Sequence, residues 1–139
     1  MPRFAAATRG PARRRVYFAS PLDTYWTKRY EARLTLVRRR FKAANILEPR
    51  HLFKNGDAWR AAWPELVRSL STLVFIAGSD GSIGYGVFAE VHDARRHGIA
   101  TWYLCDEGGF HRDFAFELID GGASWRRYAR VVMAGETVA

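Results

Sequence analysis

The chain has one cysteine, Cys105, in 139 residues. A single thiol excludes an internal disulfide and any metal site built from several cysteines. No apolar run approaches the roughly 20 residues that a membrane span needs. The first residues, Met1 to Arg15, are basic and lack the apolar centre of a secretory signal. These absences point to a cytoplasmic protein that is not held in a membrane. The histidines are too scattered for a metal site: His51 and His111 fall in loops, His92 and His97 on one helix face water. There is no repeat and no low-complexity tract. A dinucleotide oxidoreductase is disfavoured, because the first strand runs into Ser20-Pro21-Leu22-Asp23 rather than a glycine fingerprint.

Acid is also in short supply. The 22 basic residues against 14 acidic ones leave a net charge of +8. The arginines cluster at Arg13-Arg14-Arg15, Arg38-Arg39-Arg40, Arg95-Arg96 and Arg126-Arg127. That balance favours anionic partners, nucleotides or nucleic acid, and it equally describes a solvated arginine-rich surface. With 48% hydrophobic and 14% aromatic residues the chain can build a core. Its length fits one domain, expected over residues 15–139 behind a flexible basic leader, residues 1–14.

Short apolar runs and helical stripes alternate. Arg15 to Ala19 reads as a strand ended by Ser20-Pro21. Asp23 or Thr24 is the expected cap of a long helix whose stripe is Trp26, Tyr30, Leu34, Val37, Phe41 and Ala44. Asn45 to Glu48 reads as a short strand stopped by Pro49, and residues 50–57 as a loop. Pro64 suits a first helical position, so the next helix is expected over residues 64–70. Leu73 to Ala77 is a fully apolar third strand. A helix with Val87, Val91 and Ala94 inward ends at Gly98, and strands follow at Ile99 to Leu104 and Tyr128 to Met133. The order predicts an α/β fold, a flavodoxin-like or Rossmann-like three-layer sandwich with a five-stranded parallel sheet ordered 2-1-3-4-5. A ligand then sits beyond the strands' carboxyl ends, where Ala19 to Asp23 and Ser79 to Gly86 meet.

The segment Ser79-Asp80-Gly81-Ser82-Ile83-Gly84-Tyr85-Gly86-Val87-Phe88-Ala89-Glu90 carries the chemistry. A glycine-rich turn between strand and helix can cradle a phosphate or sugar, and Glu90 places a carboxylate over it. Two parts of the chain resemble the nucleoside 2-deoxyribosyltransferase superfamily, which includes nucleotide N-hydrolases: Val16-Tyr17-Phe18-Ala19-Ser20-Pro21, and the turn with Gly86, Glu90 and Gly98. The resemblance covers about residues 15 to 105. It implies cleavage of an N-glycosidic bond without metal or organic cofactor, on a nucleotide or nucleoside, in a homo-oligomer. It implies Glu90 as nucleophile at C1′ of the sugar, Tyr17 as its orienting partner, and Asp80 as a group that protonates or holds the leaving base. Ser20, Pro21, Asp23, Ser82, Gly84 and Gly86 are the implied substrate-binding set. The transferases place an aspartate six residues before the glutamate, and this chain has Gly84 there. Ser82 matches the serine that the N-hydrolases use for a 5′-phosphate, which tilts the expectation toward a phosphorylated substrate.

Each residue also has a plainer explanation. Glu90 serves as a first-turn acid against the helix dipole, Tyr17 as a core aromatic, Asp80 as the Asp of an Asp-Gly turn, Asp23 as a cap and Ser20 as a turn former. Cys105 reads as buried, and Trp59 and Trp63 as core or as cover for a base. Trp125 and Tyr128 are expected as exposed aromatics of an interface. A phosphoribohydrolase that releases cytokinin-type bases fits less well, because no second acid stands beside Glu90. A non-catalytic nucleotide-binding or nucleic-acid-binding module is the reading from another class.

Overall fold

Side-chain alternation in the first strand sets the layers. The structure, a computed structural model, describes residues 14–133, so all but the last residue of the expected leader lie outside the described residues. β1 (Arg15–Ala19) is buried on both faces. Val16 and Phe18 point to one side, where they pack with Tyr30, Leu34 and Val37 of α1 (Lys28–Arg40). Tyr17 and Ala19 point to the other, into a core with Trp63 and Val67 of α3 (Gly56–Arg68) and with Val87, Val91 and Ala94 of α4 (Tyr85–Arg96). A fully buried side chain of this kind contributes about 1.5–3 kcal/mol. A strand sandwiched this way must be apolar throughout, and Val-Tyr-Phe-Ala is.

β1 pairs in parallel with β2 (Asn45–Leu47) and with β3 (Thr72–Phe75), the latter in the register Tyr17 opposite Leu73. β3 pairs in parallel with β5 (Ala100–Leu104). This reproduces the predicted order for four strands. The fifth position differs. It is held by the two-residue β6 (Phe110–His111), antiparallel to β5. The sheet is therefore mixed and mostly parallel, with helices on both faces, an arrangement compatible with a three-layer α/β fold. The reason is the turn after β5. Gly108, at φ +91, closes a tight return, with its amide on Cys105 O and Cys105 N on Gly109 O. A parallel neighbour would need a crossover of a dozen or more residues.

The expected fifth strand does form, as β8 (Ala129–Met133), in a second sheet. There it lies antiparallel between β4 (Ser82–Ile83) and β7 (Phe114–Leu118). Ile83, Phe114 and Ala129 carry this small sheet onto the core on the α4 side.

Two helix starts and one added helix also differ from expectation. α1 starts later than Asp23 or Thr24 allows. Residues Leu22–Thr24 form a 3-10 turn, and Thr27 is the cap, accepting from Tyr30 N at 3.2 Å. Trp26 thus falls outside the helix and is 72% exposed. The presumed loop holds a short helix, α2 (Pro49–Leu52), with Pro49 in its first turn. α3 begins at Gly56, because Asn55 Oδ1 accepts from Ala58 N at 2.9 Å. Pro64 lies inside that helix on its exposed face, where water can serve the carbonyl it leaves unbonded.

Candidate active site

Two helices bring their polar groups together over the Tyr17 face of the sheet. Glu90 lies in the second turn of α4 and α4 has no acid in its first turn, so compensation of the helix dipole does not explain it. It is 5% exposed. The Tyr17 hydroxyl donates to Oε2 of Glu90, and so does Nε1 of Trp59, at 2.9 Å. Among the described residues no donor reaches Oε1. Burial pushes the Glu90 carboxyl up to about 7, the two donors oppose that rise, and Asp93 adds to it. Burial, and then the Glu90 charge, likewise raise the phenols of Tyr17 and of Tyr25, which follows the 3-10 turn after β1.

Tyr17 and Glu90, far apart in sequence, therefore meet as the sequence suggested. Trp59 joins them, with a hydrogen bond that sequence reasoning did not foresee. The signal was in the spacing. Trp59 and Trp63 are four apart on α3, and Glu90 and Asp93 are three apart on α4. Trp63 Nε1 donates to Asp93 Oδ2 at 2.9 Å, and the two indoles stack at 6.3 Å with 27° between planes.

Asp80 belongs to a different group. Its Oδ1 accepts from Ser82 N at 3.0 Å and from Ser82 Oγ at 2.6 Å, and its Oδ2 accepts from Arg127 Nε at 2.9 Å. The Ser82 hydroxyl and amide, then Arg127, hold its carboxyl down at about 2. Asp80 is thus ionised at neutral pH, and the hydroxyl proton of Ser82 is already committed to it.

The glycine turn is closed by a later segment. Tyr85 N donates to Trp125 O at 2.8 Å, and Tyr128 N donates to Ile83 O at 2.8 Å. A Cβ on Gly84 would meet Trp125 O at 2.9 Å. Gly84 is thus required by a close backbone approach, whereas Gly86 has nothing within 4 Å of a Cβ. Tyr128 is not an exposed aromatic: it packs edge-on to Tyr85 at 5.1 Å and against Phe88 at 4.9 Å. Trp125 is 72% exposed.

The remaining expected residues lie on the connection after β1. Ser20 is buried, and among the described residues its Oγ has no hydrogen-bond partner. Pro21 precedes the 3-10 turn and its carbonyl accepts from Thr24 N and Thr24 Oγ1. Asp23 is exposed in that turn. Cys105 is half-buried, with Sγ 3.4 Å from His111 Nε2. Among the described residues no group of three or more His, Cys, Asp and Glu side chains could hold a metal ion, and no helix is long and apolar enough to cross a membrane. Surface hollows of about 420 and 320 Å³, beside Phe114 and Phe53, lie away from Glu90.

Comparison with models of known families, with curated proteins and with solved structures finds no match. The chemistry of the site rests on its own residues.

Proposed function

We propose that this chain is a cytoplasmic, homo-oligomeric N-glycosidase that cleaves the base–sugar bond of a nucleoside or nucleotide. In this reading it has the flavodoxin-like, Rossmann-like architecture of the nucleoside 2-deoxyribosyltransferase superfamily. One observation carries it: a buried carboxylate whose two donors both meet Oε2, leaving Oε1 unengaged. Oε1 forms a bond to C1′ as the C1′–N bond breaks, and the electron pair leaves on the base. The transition state is oxocarbenium-like, and a carboxylate stabilises or captures it. Water or a second base then attacks C1′ and frees Glu90, and the proton the attacker gives up balances the one the departed base takes from water. Burial favours this attack, because a desolvated carboxylate beside a developing cation gains more than it would in water. Asp80, ionised and paired with Arg127, has no proton for the leaving base and suits holding it instead.

The test is base release from a panel of ribo- and deoxyribonucleosides and their monophosphates, followed by chromatography, for wild type and Glu90→Gln. Release by wild type and its loss in the variant is the expected result. Adding a second free base then separates transfer from hydrolysis. No release from any member of the panel refutes the proposal.

One observation favours a second reading, a module that binds polyanions. The guanidinium groups of Arg40 and Arg112 lie 4.9 and 5.3 Å from the Trp102 ring, and Arg40 is also 4.9 Å from Phe110. Aromatic rings beside arginines suit stacked bases and phosphates. Binding to single-stranded nucleic acid that falls steeply with salt and survives Glu90→Gln would favour this reading over the first.

A further inference from the structure

We propose that Trp59 is a positioning residue for Glu90: its indole N–H and the Tyr17 hydroxyl jointly hold Oε2, so that Oε1 is the oxygen presented to the sugar. The role assigned to Oε1 rests on the glycosidase reading above.

Two parallel rungs tie α3 to α4. Trp63 to Asp93 is one: Trp63 is 4% exposed, and its ring lies 5.0 Å from that of Tyr17. Trp59 to Glu90 is the other, with the indole half-buried and the carboxylate buried. Both rungs cross from α3 to α4 at matched spacing. The Trp59 rung places its N–H on Oε2 of Glu90. An indole N–H turned away from water needs an acceptor, and either oxygen of Glu90 would satisfy it. Convergence of both donors on one oxygen is what leaves the other unengaged. The donors also favour the ionised carboxylate, the form that attacks.

Few other charges bear on Glu90. Tyr17 faces it from β1, Tyr25 from the connection after β1, and Asp93 from α4 itself. From α3, the contact to Glu90 is made by a neutral indole. Loss of the Trp59 N–H therefore has a readable consequence. Trp59→Phe keeps a ring and removes the donor.

The measurement is the titration of the Glu90 carboxyl carbon by NMR in the full chain, alongside the pH profile of base release. In Trp59→Phe the midpoint rises by about one pH unit, tenfold in the proton equilibrium. The acid limb of kcat moves up by the same interval, with KM unchanged. Trp63→Phe lowers stability and moves the midpoint far less, since its N–H reaches Glu90 only through Asp93. A midpoint unmoved by Trp59→Phe, or moved equally by Trp63→Phe, overturns the proposal. Should Trp59→Phe fail to fold, the wild-type indole N–H resonance of Trp59 serves instead. It shifts with the Glu90 midpoint and stops titrating in Glu90→Gln; a flat resonance in wild type overturns the proposal. If the midpoint moves but wild type releases no base, the glycosidase reading falls, and the role of Oε1 with it.

Discussion

Replacing Glu90 with glutamine exchanges an acid for an amide of the same shape, and the consequence for stability depends on pH. The Glu90 carboxyl sits at about 7 in the folded chain against an ordinary 4.5. Folding therefore favours the protonated form. Below pH 4.5 both states hold the proton and the group costs nothing. Between 4.5 and 7 the unfolded chain has lost its proton while the folded chain keeps it, so stability falls as pH rises. Above 7 the full cost remains. That interval corresponds to about 3 kcal/mol. The substituted amide has no proton to lose in this range, and its oxygen can still accept from Tyr17 and Trp59. Glu90→Gln is thus expected to match wild type near pH 4.5 and to exceed it by up to about 3 kcal/mol at pH 8, roughly 10 °C in midpoint. Thermal or urea unfolding of both proteins at the two pH values reads this directly, and titrating groups that do not interact with Glu90 cancel in the difference. The same gain at both pH values, or none at pH 8, would refute a carboxyl destabilised by burial. A stabilised variant that releases no base would show a site held at the expense of stability.

Tyr17→Phe should act in the opposite direction. It removes a donor from a carboxylate that stays, so stability at pH 8 falls by about 1–3 kcal/mol and base release falls with it; urea unfolding and the chromatographic assay check both. Gly84→Ala should cost about 1–3 kcal/mol, since its Cβ would meet Trp125 O at 2.9 Å, whereas Gly86→Ala should gain up to about 1 kcal/mol in the open first turn of α4. Asp80→Asn should cost less than about 1 kcal/mol at pH 7, because Asp80 and Arg127 are both about half exposed. Its carboxyl is held down, so that difference is present above pH 4 and vanishes as pH falls through about 2.

The central fold was legible where burial dictates pattern. Val16 to Ala19 and Leu73 to Phe75 are apolar at every position, and only strands covered on both faces need that. Tyr30, Leu34 and Val37 kept their helical stripe because that face is buried. Boundaries were less legible where polar caps compete. Asp23 and Thr24 are credible caps in sequence, but both fall in the 3-10 turn at Leu22–Thr24, and Thr27 caps α1 instead. Pro64 misled because its cost depends on which side of the helix faces water. The second sheet was hidden because β4 has only two residues and draws its partner from far along the chain. At the site, the pairing of Tyr17 with Glu90 followed from the resemblance. Trp59 did not, since matched spacings on two helices mean nothing until α3 is known to lie against α4.

The cap of α4 has a dynamic consequence. Its first amide, that of Tyr85, is bonded to Trp125 O and not to any group within the turn that precedes the helix. The small sheet of β4, β8 and β7 is joined to the rest by side-chain packing, with Ile83, Phe114 and Ala129 in the core and Phe116 and Tyr128 against Phe88, rather than by strand pairing with the main sheet. Such a unit can open by itself, at a free energy below that of global unfolding. In hydrogen exchange the Tyr85 amide should therefore keep time with β8 while the later amides of α4 exchange more slowly. Each opening also uncovers the positive end of the helix that carries Glu90. The small sheet is then a reversible stopper on that helix, made from the chain's own backbone carbonyls.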